Sequence, residues 1–143
     1  MVTWKTNIDT AHTVLIVSDQ PDYVATWTAL FSQRNCIVLA EFKISDAIQS
    51  ARLVSPTLVL VDIDVSKEQR ASLLKGLRSV CRAPILMLIT ANTVDEILEA
   101  NRSGADECFV KPVNPAVLVV KAMAWLGHGH RIERHNQPVS VTL

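Results

Sequence analysis

Leu58-Val59-Leu60-Val61-Asp62 is a run of four branched apolar residues that ends on a carboxylate. Three other short runs also end on residues of phosphoryl chemistry. Thr13-Val14-Leu15-Ile16-Val17 leads to Ser18 and Asp19, Ile85-Leu86-Met87-Leu88-Ile89 leads to Thr90, and Cys108-Phe109-Val110 leads to Lys111 and Pro112. Short, continuously apolar runs suit strands buried on both faces, as in parallel sheets. With a further strand at 36–42 and helical patterns between, the chain reads as five β–α units. A doubly wound α/β fold with helices on both faces follows from right-handed crossovers. In such sheets ligands sit at the carboxyl ends of the strands, near the point where strand order reverses. Asp19, Asp62, Thr90 and Lys111 are therefore expected to converge on one small site.

The helical patterns are read from spacing and caps. Tyr23, Trp27, Leu30 and Phe31 recur at helical intervals behind Pro21, which a first turn tolerates. Ser45 is the expected N-cap of a helix burying Ile48 and Ala51. A third helix spans about 67–80 on Leu73, Leu74, Leu77 and Val80. A fourth uses Val94, Ile97 and Leu98 and stops at Gly104, a natural residue just past a helix end. The last opens with Asn114 as N-cap and Pro115, and buries Leu118, Val119, Ala122, Met123 and Leu126 up to Gly127.

The 143 residues fit one domain with a proper core. Fourteen basic and fourteen acidic residues cancel, so no global field recruits nucleic acid or a membrane. Cys36, Cys81 and Cys108 are odd in number and widely spaced, a usage that fits reduced thiols rather than a disulfide framework. Met1-Val2-Thr3-Trp4-Lys5 opens no long apolar stretch, and no run approaches a membrane span. A cytoplasmic location is expected. Residues 1–12 read as an N-terminal extension, 13–127 as the domain, and 128–143 as a polar, basic linker or tail. In that tail His128, His130 and His135 lie beside Arg131 and Arg134. Their spacing matches no closed metal site, and a solvated linker is the better reading.

Residues 13–127 resemble a response-regulator receiver domain, the phosphoacceptor module of two-component signalling. The resemblance rests on the acid after the first strand, on Leu-Val-Leu-Val-Asp62, on Thr90-Ala91, and on Gly104-Ala-Asp-Glu-Cys-Phe-Val-Lys111-Pro112. It implies a flavodoxin-like sheet of five parallel strands in the order 2-1-3-4-5. It also implies that Asp62 accepts a phosphoryl group from a phosphohistidine of a sensor histidine kinase. Mg2+ would be held by the carboxylates of Asp19 and Asp62 and the backbone carbonyl of Asp64. Thr90 and Lys111 would contact the phosphate, behind a cis peptide at Pro112. Such a domain is a signalling module that assists its own phosphorylation and dephosphorylation rather than an enzyme. Kinase choice would lie around Pro21 to Ala29. The face made by residues 94–102, 107–110 and 115–125 would switch a partner contact, with a homodimer as one outcome. The last helix resembles that of winged-helix transcription regulators, in which a basic linker leads to a DNA-binding output domain.

Physical chemistry supports the same roles. A carboxylate can form an acyl phosphate, and a transferring phosphoryl group demands a hard cation and hydrogen-bond donors. Magnesium takes oxygen ligands, commonly one or two carboxylates with phosphate and water.

Three positions depart from the family. Ser18 stands where a second acid usually precedes Asp19, and Ser66 replaces a common proline four residues past Asp62. Cys108 replaces the usual aromatic ring that, with Thr90, reports phosphorylation. Phe109 follows it, but strand alternation turns that ring to the opposite face. These departures sustain an alternative: a degenerate receiver that binds partners without phosphorylation. Two other rivals fail. Asp62-Ile63-Asp64 resembles the Asp-x-Asp of haloacid-dehalogenase-type phosphatases, but it lies late in the chain and no Gly-Asp-rich loop follows Thr90. A nucleotide- or flavin-binding domain needs a glycine-rich first turn, and Gly76, Gly104, Gly127 and Gly129 all lie elsewhere.

Overall fold

In a computed structural model, which describes residues 11–90, 93–127 and 140–142, strands and helices alternate along the chain. They are β1 (His12–Ser18), α1 (Pro21–Ser32), β2 (Cys36–Glu41), α2 (Ile44–Val54), β3 (Leu58–Asp62), α3 (Lys67–Val80), β4 (Ile85–Ile89), α4 (Val94–Ser103), β5 (Glu107–Val110), α5 (Pro115–Gly127) and β6 (Ser140–Thr142). All neighbouring strands pair in parallel, in the order β2-β1-β3-β4-β5-β6. The five-stranded order 2-1-3-4-5 is as expected.

The sixth strand is a difference from the sequence reading, which left 128–143 as linker or tail. Val139-Ser140-Val141-Thr142-Leu143 does alternate apolar and polar residues, but a run of five beside Pro138 is too short for that alternation to stand out. The histidine and arginine cluster at 128–135 lies outside the described residues, as do Ala91 and residues 1–10.

Strand alternation divides the core into two layers. Leu15, Val17, Val61, Met87 and Cys108 face α2, α3 and α4. Val14, Ile16, Leu60, Leu88 and Phe109 face α1 and α5. β3 and β4 are buried along their whole length because helices cover both of their faces.

Local signals set the helix ends. Asn114 Oδ1 accepts the backbone N–H groups of Ala116 and Val117, as an N-cap should. Gly104 closes α4 at φ 137°, and an added Cβ would sit 3.3 Å from the Leu74 carbonyl oxygen, so glycine is required there. Ser66, the residue in place of proline, opens α3 with a reciprocal capping box to Gln69. The expected cap at Ser45 is not formed: the N-cap lies two residues earlier, at Lys43, which makes no side-chain cap bond. Tyr23 and Val94 also point outward, 51% and 68% exposed, because each lies at the solvent edge of its helix stripe.

The amino end of the sheet is tied down. Arg78 on α3 donates to the carbonyl oxygens of Ala83 and Gly104 at 2.9 Å each and pairs with Asp106 at 2.9 Å. The same Asp106 oxygen accepts the Ile85 N–H at 2.8 Å. One guanidinium thus joins the loops that launch β4 and β5 and leaves the opposite, carboxyl end free for a site.

Candidate functional site

Strand order reverses between β1 and β3, and the site is built around that point. Ser18 and Asp62 are register partners at the ends of these strands. Asp19, the next residue, stands exposed at the mouth, and Asp64 is exposed two residues beyond β3. Asp62 itself is only 2% exposed. A carboxylate so deeply placed needs a partner.

Lys111 supplies it. Its Nζ lies 2.6 Å from Asp62 Oδ1, across the ends of β3 and β5. The peptide between Lys111 and Pro112 is cis, as the sequence predicts, and the Lys111 N–H is bonded to the Ile89 carbonyl at 2.9 Å. No hydrogen-bond donor among the described residues is aligned on Asp62 Oδ1. The oxygen is therefore held by charge and proximity alone and keeps a lone pair for another electrophile or cation.

Thr90 is exposed directly past β4, at the same end of the sheet. Among the described residues it makes no hydrogen bond to Asp62 or Lys111. Ser18 is fully buried, and its hydroxyl oxygen accepts the Gln20 N–H at 3.1 Å. It thereby shapes the turn that carries Asp19 into α1. Among the described residues no three His, Cys, Asp or Glu side chains form a metal cage. The arrangement instead offers a few oxygens at one strand-end mouth, the donor type that a hard cation such as Mg2+ prefers.

Cys108 does not belong to this cluster. It points to the other layer of the core, fully buried beneath α4, and Asn101 Nδ2 donates to its Sγ at 3.5 Å. Burial pushes its thiol up to about 12, against a smaller lowering from Arg70. Arg70 on α3 in turn pairs with Glu99 on α4 at 3.1 Å. Phe109 lies on the opposite layer with α1 and α5, as alternation requires.

A cleft of about 520 Å3 opens beside the Asp62–Lys111 pair, lined by Tyr23, Thr26, Trp27, Leu88, Pro112 and Pro115 among others. Trp27 Nε1 is buried and has no hydrogen-bond partner among the described residues. Helical spacing puts Tyr23 and Trp27 on one face of α1; that they border the acceptor depends on how α1 packs, which spacing does not encode. Glu107, also missed, is 2% exposed and held by Trp125 Nε1 at 2.8 Å and Lys121 Nζ at 3.4 Å.

Comparison with known proteins agrees with this geometry. The family model described as response regulator receiver domain matches residues 14–123. The chain is 26% identical over 113 residues to the DNA-binding response regulator MtrA of Mycolicibacterium smegmatis, covering 79% of this chain and 50% of MtrA. It is 28% identical over 115 residues to the protein PetR of Rhodobacter capsulatus, covering 78% and 48%. The chain thus spans about half the length of the curated relatives it matches. Among solved structures, a two-component response regulator from Clostridium difficile superposes with a TM-score of 0.74 at 24% identity, over 88% of this chain and 99% of that one. The chemotaxis response regulator CheY4 of Vibrio cholerae gives 0.66 at 20% identity, over 80% and 98%. At these identities the structural likeness speaks for the fold.

Proposed function

The chain belongs to the response-regulator receiver-domain family, and from that premise we propose that Asp62 is its phosphoacceptor. A carboxylate oxygen of Asp62 attacks the phosphorus of a phosphohistidine on a sensor histidine kinase. The new P–O bond forms as the P–N bond breaks, and the imidazole leaves. Lys111, already beside Asp62, balances charge on the incoming group, and the Thr90 hydroxyl donates to a phosphate oxygen. The carboxylates of Asp19 and Asp62 and the carbonyl of Asp64 would hold Mg2+. When bound, that ion neutralises charge on the phosphoryl oxygens. The donor set fits such an ion, because it is all oxygen and the buried Asp62 Oδ1 lacks an aligned donor. The observation that carries the proposal is the 2.6 Å pairing of Lys111 with a buried Asp62 at the reversal point of the sheet.

The kinase would dock along α1, where the exposed Tyr23 borders the cleft leading to Asp62. The output would run through the face of α4, β5 and α5, to a second copy or to a DNA-binding domain like that named for MtrA. A cytoplasmic location accords with these partners; among the described residues no helix is long and apolar enough to cross a membrane. A second reading, a module that works without phosphorylation, is favoured by Cys108, which leaves no ring to follow Thr90. Acetyl phosphate with Mg2+, read by intact mass, separates the two. One added phosphate that Asp62→Asn abolishes supports phosphoacceptor function; an unmodified wild-type chain supports the second reading.

A further inference from the structure

An open sheet edge is a template for another strand, and β5 would be such an edge if the sheet ended at five strands. It does not: Glu107, Cys108 and Phe109 register with Ser140, Val141 and Thr142 of β6. The Lys111 N–H is bonded to the Ile89 carbonyl and the Val59 N–H to the Pro84 carbonyl, each at 2.9 Å, so Met87 and Ile89 turn their backbone groups towards β5. Successive strand amides point to alternate edges, so the Glu107 and Phe109 N–H groups face β4 and the Cys108 N–H faces β6. In a parallel ladder, Cys108, opposite Val141, then presents its N–H to the Ser140 carbonyl and its C=O to the Thr142 N–H. Helices α4 and α5 flank this edge through Asn101 against Cys108 and through Trp125 and Lys121 against Glu107. Both carry exposed apolar residues, Val94 at 68% and Val120 at 65%.

We infer that residues 140–142 are an intramolecular cap, which by pairing with β5 keeps the α4–β5–α5 face closed to a second copy of the chain. The occupant and the excluded partner compete for the same backbone groups. A strand of three residues holds few of them, so the cap is weak enough to be displaced. It concerns the face that the proposed output would use, but it does not require Asp62 to be phosphorylated, and the two readings fail separately.

Thr142→Pro in the full chain tests it, because proline removes the N–H offered to the Cys108 carbonyl and leaves α5 and the five-stranded core untouched. Amide exchange of Cys108 should quicken at least tenfold in dilute protein while Phe109, which faces β4, stays as slow as in the wild type. Sedimentation equilibrium should show a monomeric wild type and a self-associating variant. Thr142→Ala, which keeps the amide, should behave as the wild type does. Unchanged Cys108 exchange, a variant that stays monomeric, or a wild type already dimeric through this edge would each overturn the cap. Loss of Phe109 protection as well would mean that the variant had unfolded; a free peptide of residues 138–143 added to wild type then decides. Faster exchange of the wild-type Cys108 amide in its absence than in its presence would show an edge left open, against the cap, and equal exchange supports it.

Discussion

The acceptor corner and the α4 side of β5 lie three residues apart along one strand, yet they follow opposite rules. At the corner Lys111 reaches out of β5 to a buried carboxylate and completes a charge pair poised for chemistry. At Cys108 the strand offers a small thiol, packed in apolar surroundings and bonded to Asn101. In the proposed reading the first position keeps the residue types that phosphoryl transfer needs. The second holds a small, fully buried thiol where the family resemblance expects a ring that moves. A ligand shifts a two-state equilibrium only through its differential interaction with the two states. On that reading chemistry and readout are therefore separable in this fold, and Cys108 alters the readout.

The largest effect is expected from breaking the corner. Lys111→Ala strands the Asp62 carboxylate in the core. Removing one partner of a fully buried pair costs about 3–5 kcal/mol. The Lys111 side chain is 29% exposed, so a loss of about 2–3 kcal/mol is expected by urea unfolding. Asp62→Asn in the same background should recover most of it, since no charge is left unpaired. A fully additive pair of effects would mean that the two groups do not interact.

Next comes the other side. Cys108→Tyr forces a ring into a site with no exposed surface, and overpacking of this kind costs about 1–3 kcal/mol. The amides of α4 should exchange faster, and beryllofluoride should change the oligomeric state of this variant more than that of the wild type. Wild-type stability in Cys108→Tyr would show that α4 already has room for a ring. The thiol offers a milder probe. With the folded value pushed up from 9.0 to about 12, Cys108 contributes stability that is whole below pH 9.0 and fades as pH rises towards about 12, because the unfolded thiol ionises first. Thiol reagents at pH 8 should therefore modify the half-buried Cys81 before Cys108.

How much of this was legible follows from what sequence patterns encode. Strand burial, the order of elements and the gathering of Asp19, Asp62 and Lys111 at one end all come from local runs and their endings. Asn114 and Gly104 were legible because a cap is a local interaction. Ser45 failed because a cap depends on where the helix actually begins, and the N-cap is Lys43, two residues earlier. Ser18 and Glu107 depend on contacts across the fold: a hydroxyl spent on Gln20, and a carboxylate met by Trp125 from α5. No spacing rule announces either. β6 was missed because three paired residues are too few to rise above the polar segment before them.

Ser18 gives the smallest effect. Ser18→Ala removes the acceptor for the Gln20 N–H and should cost about 1 kcal/mol. Ser18→Asp adds a second carboxylate beside Asp62 and should tighten Mg2+ binding by about tenfold or less, roughly 1 kcal/mol, while lowering stability in the absence of metal. Equal or weaker Mg2+ affinity in isothermal titration would sink the idea that missing charge limits this site.

Chemical trapping of the acyl phosphate is the most direct measurement. The chain is incubated with acetyl phosphate and Mg2+, reduced with borohydride, which converts a phosphorylated aspartate to homoserine, and mapped by peptide mass spectrometry. Homoserine is expected at position 62 and not at Asp19 or Asp64, with none formed in Asp62→Asn. Homoserine at another aspartate, or an unmodified Asp62 in a chain that binds Mg2+, would contradict its assignment as the acceptor.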